Sequence, residues 1–383
     1  MKLKTAFALA TLALATGLAT AQTQGVSKNE IVIGSIQDLS GPLAALGKQV
    51  RYGMQLRVDE LNEQSGGIHG RKIKLLIEDS QYDPKKAVLA AQKLVNQDKI
   101  FAMIGHIGTT NNLAAMPIQF AKNVPNLNPI TASKEMYEPF HKLKFAFSAS
   151  YFDQMRVFAP KVAKEKNAKK VCTLYQDDDF GTVVMNGAEA GLETIGMSLA
   201  EKTTYKTGAT DFSSQVARLK AAECDMVILG TVLRETIGTI ATARRTGFNP
   251  TFLGSSAAYF DLVHKLGGKA MDGLYATMTV QNPYLDSASQ PLRFWATKYQ
   301  TKFNEEPAVF SVYGYTAIDN FITAANAAGP NLTTDSFIKA LETVTFPADI
   351  FGSPVTKFGP TKRQGSDQAR LSQIVDGKWK VLQ

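Results

Sequence analysis

The chain is poor in the residues that most often announce chemistry. Among its 383 residues there are two cysteines, two tryptophans and four histidines. Two cysteines cannot make a disulfide-dense scaffold or a cysteine-rich metal site. Cys172 and Cys224 each open an apolar run that reads as a strand; an oxidising compartment would let them pair, and two buried free thiols is the other reading. His69, His106, His141 and His264 fall into no HExxH or other metal-ligand spacing. No GxSxG elbow is present, nor a GxGxxG after a strand. Gly41–Lys48 comes nearest to a phosphate loop, but five residues separate its glycines and Gln49 stands where Ser or Thr must meet magnesium. The run Asp177-Asp178-Asp179 suggests calcium at first sight. Three adjacent carboxylates cannot all face one ion from a strand end, so a solvated loop is the simpler reading. These absences favour a binder over an enzyme, and no cofactor or metal is expected.

Long apolar runs are also scarce. Only Ala6–Thr20 qualifies, behind Lys2 and Lys4 and ahead of Ala19-Thr20-Ala21, a small-x-small cleavage signal. Residues 1–21 therefore read as a signal peptide, with Gln22 as the new N-terminus and no cysteine there to carry a lipid. No later stretch approaches the roughly 20 apolar residues of a membrane span. The expectation is a soluble chain exported to the periplasm, and a monomer. The formal charge of +8 is mild, with much of the excess in Lys161–Lys170. A solvated helix end explains it better than a nucleic-acid face, so no nucleic-acid partner is expected.

The remaining chain exceeds the size, about 250–300 residues, at which one core stops growing, so two lobes are expected. Glu30–Ile36, Ile73–Glu78 and Ile100–Gly105 read as strands. Helical patterns Val50–Asn62 and Lys85–Asn96 alternate with them, the second opened by Asp83-Pro84 as N-cap and first residue. The rhythm restarts with strands Val171–Tyr175, Ser198–Thr203, Met226–Gly230 and Phe252–Gly254 and helices Thr182–Ile195, Asp211–Ala222 and Glu235–Thr246. Alternation of this kind predicts α/β units with parallel sheets. After Asp272–Val280 the chain turns through Asn282-Pro283 into helices Gln290–Asn304, Val309–Ala328 and Thr334–Thr343. The tail, Leu371–Val375 and Trp379–Leu382 around Asp376-Gly377, predicts a hairpin. These last residues complete neither lobe alone, so each lobe is expected to be discontinuous: 22–149 plus 281–353, and 150–280 plus 354–383. The join near Phe145–Ser150 is short and lacks a Pro/Gly/Ser tether, which suggests lobes held closely and able to hinge.

One loop can be argued as a site from its chemistry. Strand Phe101–Gly105 runs into His106, Ile107, Gly108, Thr109, Thr110 and Asn111 before a helix at Asn112–Lys122. Free amides and the positive helix end make this an anion cradle, and Thr109 adds a hydroxyl. Ordinary N-capping by Thr109 is the competing reading. A second strand end, Asn128–Ser133, faces the same cleft by the same reasoning.

Several segments in order resemble one family. Ile31–Gly47, Gly66-Gly67-Ile68 with Gly70, Asp83–Val88 and Met103–His106, continued by Asp179-Phe180-Gly181, Asp211-Phe212-Ser213 and Arg244 to Gly247, are similar to the leucine/isoleucine/valine-binding proteins. These are type I periplasmic binding proteins of ABC transporters. The resemblance implies two Rossmann-like lobes joined by a three-stranded hinge, with crossovers near Ser148, Val280 and Ser353. It implies a ligand enclosed between the lobes and a membrane permease as partner. In the family, the position of Thr109 binds the ligand carboxylate and that of Gly108 allows close approach; Thr110 belongs to the same loop. A hydroxyl residue follows at the second strand end, with either Thr131 or Ala132 in that place. On the other side Phe180 replaces a tyrosine, Leu46 replaces an aromatic, Ser256 stands where the amino-acid binders carry Glu, and Tyr151 stands where they have an acid. Val232 and Tyr259 complete the expected site. Its carboxylate half is kept and its ammonium half is dismantled, so the resemblance points to a small carboxylate with an apolar or aromatic body. An amino-acid receptor using Asp179 or Glu235, and a sensor input for a membrane signalling protein, are the alternatives.

Overall fold

In a computed structural model, which describes residues 23–382, the chain builds two separate sheets of one design. The first comprises β1 (Glu30–Gln37), β2 (Lys72–Asp79), β3 (Met103–Ile104), β4 (Asn126–Leu127) and β5 (Lys144–Phe145). All are parallel, in the order β2-β1-β3-β4-β5. The crossovers include α1 (Ala44–Gln64), α2 (Pro84–Gln92) and α3 (Thr109–Ala121). α1 starts six residues before the expected Val50 because Asp38 accepts from the amides of Gly41 and Leu43 and fixes the turn into the helix. α2 is capped as expected, the Asp83 carboxylate accepting from Lys85 and Lys86 amides with Pro84 first in the helix. β3 is shorter than Ile100–Gly105: its ladders with β1 and β4 begin only at Met103, and Gly105 turns to a φ of 61°, which ends the extended run.

The chain then enters α4 (Tyr151–Glu165) and the second sheet: β6 (Val171–Gln176), β7 (Lys202–Tyr205), β8 (Met226–Gly230), β9 (Thr251–Gly254) and β10 (Tyr275–Met278). These pair in parallel as β7-β6-β8-β9-β10, which repeats the order of the first sheet. Helices α5 (Asp179–Glu193), α6 (Ser213–Ala221), α7 (Arg234–Arg245) and α8 (Asp261–Gly267) make its crossovers. β7 lies four residues beyond the expected start at Ser198, since Gly196 turns the chain at a φ of 71° and the ladder with β6 begins only at Lys202. Cys172 on β6 and Cys224, just before β8, form a disulfide with 5.9 Å between their Cα atoms. Neighbouring strands bring them together, which decides between the two sequence readings.

The C-terminal part divides itself between the sheets. α9 (Gln290–Phe303) and α10 (Val309–Ala327) pack on α1, tied by Lys298–Glu60 and Arg57–Asp319 ion pairs. The α1–α10 crossing is close because both helices offer a glycine: a Cβ at Gly53 would lie 1.9 Å from the Ser311 carbonyl oxygen, and one at Gly314 would lie 2.1 Å from that of Val50. α11 (Thr334–Thr343) is followed by a small ladder of β11 (Thr345–Phe346) and β12 (Thr356–Lys357). β13 (Arg370–Val375) and β14 (Lys378–Val381) then extend the second sheet through β10 as the expected hairpin, with Asp376 and Gly377 both at positive φ. One boundary needs correction. Residues 356–365, expected in the second lobe, pack on the first sheet: Phe358 meets Phe145 edge-on, Gly365 donates to the Ala146 carbonyl, and Arg363 pairs with Glu342. The chain reaches the second sheet only after Ser366. Ser148, Val280 and Ser353 line one crevice of about 90 Å³, so the three connecting segments run side by side. This is the architecture of two Rossmann-like lobes on a three-stranded hinge. The cleft lies beyond the carboxyl ends of β1 and β3 and of β6 and β8, where each strand order reverses.

Candidate functional site

The first-lobe wall is made by two strand ends zipped together. Ile107 and Ile130 form a bridge, with Ile130 donating to the His106 carbonyl and Gly108 donating to that of Ile130. The Asn112 side chain donates to both the His106 and Gly108 carbonyls, at 2.8 and 2.7 Å. Gly108, at a φ of 90°, is the N-cap of α3, and Thr109 is the first helical residue. Thr109 therefore does not cap its helix; its hydroxyl turns to the second strand end instead. It lies 2.7 Å from the Thr131 hydroxyl, both side chains being buried. At the second strand end Thr131 offers this hydroxyl, and Ala132 borders the same wall. The first-turn amides of α3 are donors without intrahelical partners, as at any helix start.

The second-lobe wall starts at α4, capped by the Ser150 hydroxyl accepting from the Asp153 amide. Tyr151 leads the helix, and its hydroxyl meets the Thr131 side chain and the Ala132 amide across the cleft. Burial pushes the Tyr151 phenol up, so it stays protonated at neutral pH. Its ring meets Phe180 edge to face at 5.2 Å. Phe180 is placed by the start of α5, where Asp178 caps the helix by accepting from the Gly181 amide. Ser256 follows β9 and is held by Gln154, whose amide nitrogen donates to the serine hydroxyl at 3.0 Å while its oxygen accepts from the Ser256 amide and from Thr277.

Two small cavities of about 30 Å³ each flank the Thr131–Tyr151 pair. One is lined by Leu43, Leu46, Tyr82, Ile107, Gly108, Thr109, Phe180 and Val232, the other by Ala132, Phe147, Ser148, Ser256 and Tyr313; Ala257 and Phe310 border both. Among the described residues, no charged side chain lines either cavity. Hydroxyls, amides and apolar faces make up the whole surface. Such a site hydrogen-bonds an anion's oxygens and packs an apolar body, but holds no counter-charge for a buried cation.

Nine of the expected site residues (Leu46, Gly108, Thr109, Thr131, Ala132, Tyr151, Phe180, Val232 and Ser256) border these cavities. Thr110 lies further out, at the mouth, donating to Asp179 across the cleft at 3.1 Å. Tyr259 is a correction. The chain turns sharply after Ser255, and the Tyr259 ring goes into the core against Trp379, its hydroxyl accepting from the Asn282 amide. Glu235 is buried beside α7's start with one carboxylate oxygen unpartnered, and burial raises its pKa, but it lines neither cavity. The three aspartates of the acidic run go separate ways: Asp177 to Lys206, Asp178 to the α5 cap, Asp179 to Thr110. No group of three metal-ligating side chains occurs among the described residues. Sequence reasoning missed Tyr82, Phe310 and Tyr313. The last two arrive from a helix buried on most sides, where no pattern singles out a cleft-facing residue.

A cleft closed by two matching lobes and lined by hydroxyls, amides and rings from both defines a protein that encloses small molecules. The chain belongs to the periplasmic binding protein family, whose model matches residues 30–378. It is 25% identical over 320 residues to an "Amino acid binding protein" of Pseudomonas aeruginosa, covering 82% of this chain and 84% of that one. Its fold is similar to that of a possible leucine/isoleucine/valine-binding protein from Rhodopirellula baltica, with a TM-score of 0.84, 22% identity, and coverage of 95% and 98% of the two chains. A solute-binding protein of an R. palustris ABC transporter, solved in complex with benzoate, superposes with a TM-score of 0.81 at 19% identity over 92% and 96%.

Proposed function

We propose that this protein captures a small carboxylate with an aromatic or branched apolar body and delivers it, as an exported periplasmic monomer cleaved after Ala21, to the permease of an ABC transporter. The signal-peptide residues on which the export reading rests lie outside the described residues. The observation that carries the ligand reading is that, among the described residues, those lining the cavities are neutral and rich in hydroxyls. Thr109, Thr131 and the α3 amides would bind the carboxylate, and Phe180, Leu46, Val232 and Phe310 would pack the body. A buried ammonium would meet neutral hydroxyls such as those of Ser256 and Tyr151 and no carboxylate, and an uncompensated buried ion costs several kcal/mol. A relative named for amino acids and a structural neighbour holding benzoate bracket the choice. Calorimetric titration with matched pairs decides it: phenylalanine against 3-phenylpropionate, leucine against 4-methylvalerate. The deaminated member should bind at least about tenfold tighter, roughly 1.4 kcal/mol. Leucine binding with no affinity for 4-methylvalerate would overturn the reading and move attention to Glu235.

A further inference from the structure

One residue of the cavity wall belongs to no expected motif. Tyr82 sits between β2 and α2 in a turn whose residues Gln81 and Tyr82 both have positive φ, 53° and 57°. That conformation is uncommon for a residue with a bulky side chain. The turn is nevertheless fixed on both sides: Asp79 accepts from the Gln81 amide, Asp83 donates its amide to the Ser80 carbonyl, and Asp83 then caps α2. The ring rests on Gly108, where a Cβ would come within 2.7 Å of Cε2 of the tyrosine, so the bare backbone at Gly108 is what admits it.

From there Tyr82 reaches the second lobe. Its hydroxyl meets the side chain of Gln176, which also donates to Asp178 and accepts from the Tyr205 hydroxyl at 3.3 Å. Tyr82 lines the small cavity that holds Thr109 and Phe180, and it equally lines the polar mouth, a space of about 680 Å³ that includes Ser40, Thr110 and Arg234. Between the two spaces stands its ring.

We infer that Tyr82 is the specificity-determining partition of the cleft: its ring ends the space for the ligand body and so restricts the protein to short, compact acids. This rests on the ligand site proposed above. Because Gln176 belongs to the second lobe, Tyr82 spans the cleft, and on this inference its hydroxyl helps to hold the closed form. Shortening the side chain joins the small cavity to the mouth, whereas removing the hydroxyl alone leaves the partition standing.

The test uses the mature chain and two homologous series: benzoate, phenylacetate, 3-phenylpropionate and 4-phenylbutyrate, and the α-amino acids alanine, valine, leucine and phenylalanine. Tyr82→Ala and, as a variant with less risk to the fold, Tyr82→Leu should shift the ratio of affinities for the longest and shortest binding members at least about tenfold toward the longest. Tyr82→Phe should keep the wild-type length preference and speed dissociation a few-fold in stopped-flow measurements. Circular dichroism and thermal unfolding check that each variant folds. An unchanged length ratio in both folded Tyr82→Ala and Tyr82→Leu overturns the inference while leaving the carboxylate reading intact. If only the amino-acid series binds, the carboxylate reading falls but the length shift still decides Tyr82's role. If neither series binds the wild type, both fall together.

Discussion

Replacing Thr109 by valine removes one hydroxyl while keeping the shape and branching of the side chain. The hydroxyl lies 2.7 Å from that of Thr131 and is buried, at 1% exposure. It caps nothing, because Gly108 is the N-cap and Thr109 is already helical. The cost to folding should therefore be limited to one neutral hydrogen bond, about 1 kcal/mol. The cost to binding should be larger. A hydrogen bond to a charged group contributes about 1.5–3 kcal/mol, which corresponds to roughly a tenfold to 150-fold loss of affinity.

The control for charge is a neutral isostere. Wild-type protein should prefer benzoate over benzamide, and Thr109→Val should shrink that preference while weakening benzamide less. Calorimetry with both compounds measures the two changes, and thermal unfolding in their absence measures the cost to the fold. Because Thr109 and Thr131 share one bond, Thr109→Val and Thr131→Val should combine less than additively. Benzoate affinity within about twofold of wild type in a folded Thr109→Val protein would refute the assignment of the carboxylate to this wall.

Two further outcomes concern stability. The Cys172–Cys224 bond closes a loop of 52 residues in sequence separation, so the chain-entropy estimate for replacing both by serine is a loss of about 4 kcal/mol; a melting temperature unchanged from wild type under non-reducing conditions would remove the bond from the account. Burial lowers His106 from 6.5 to about 3, so its neutral form stabilises the fold fully above pH 6.5 and that stability is lost as pH falls toward 3. Near pH 4.5 the loss should reach about 2–3 kcal/mol, opposed by the raised carboxyls of Asp38, Asp178, Glu235 and Asp261. His106→Leu should flatten the fall of melting temperature between pH 6.5 and 4.5, and an identical slope would count against the assignment.

Residues whose roles are local were legible in the sequence, and residues whose roles depend on distant chain were not. Asp83-Pro84 and Asp376-Gly377 form the cap and the hairpin they predict, because each is decided by the backbone of a few neighbouring residues. The alternation of strands and helices gave the two-lobe architecture, and the repeated strand order is the physical content of that rhythm. The path of residues 356–365 was misassigned because their partners, Phe145, Ala146 and Glu342, are not sequence neighbours. Tyr259 was misplaced for a related reason: it follows Ser256 closely, but a turn at Ser255 sends its ring to the other side, and only the hydrogen bond with Asn282 reveals where. Tyr82 was missed because propensity gives no reason to expect a tyrosine at positive φ.

The arrangement of the walls also suggests an order of events on the proposed reading. The donors of the first lobe are set by bonds within that lobe: the Ile107–Ile130 bridge and the two bonds from Asn112 do not involve the second lobe. Their geometry is therefore in place before the lobes meet. Phe180 and Val232 are different: they reach the cavity from the second lobe and complete the packing offered by Leu46, Tyr82 and Phe310 only when the cleft is closed. A carboxylate without an apolar body would bind the first lobe in open and closed forms nearly alike, and equal affinity for two states shifts no equilibrium. A body without the carboxylate would favour closure yet lack the initial anchor. Only a molecule with both parts gains differential affinity for the closed form, which is what a permease must distinguish if transport is to follow binding. On this reading selectivity lies less in the strength of either wall than in the requirement that one ligand satisfy both.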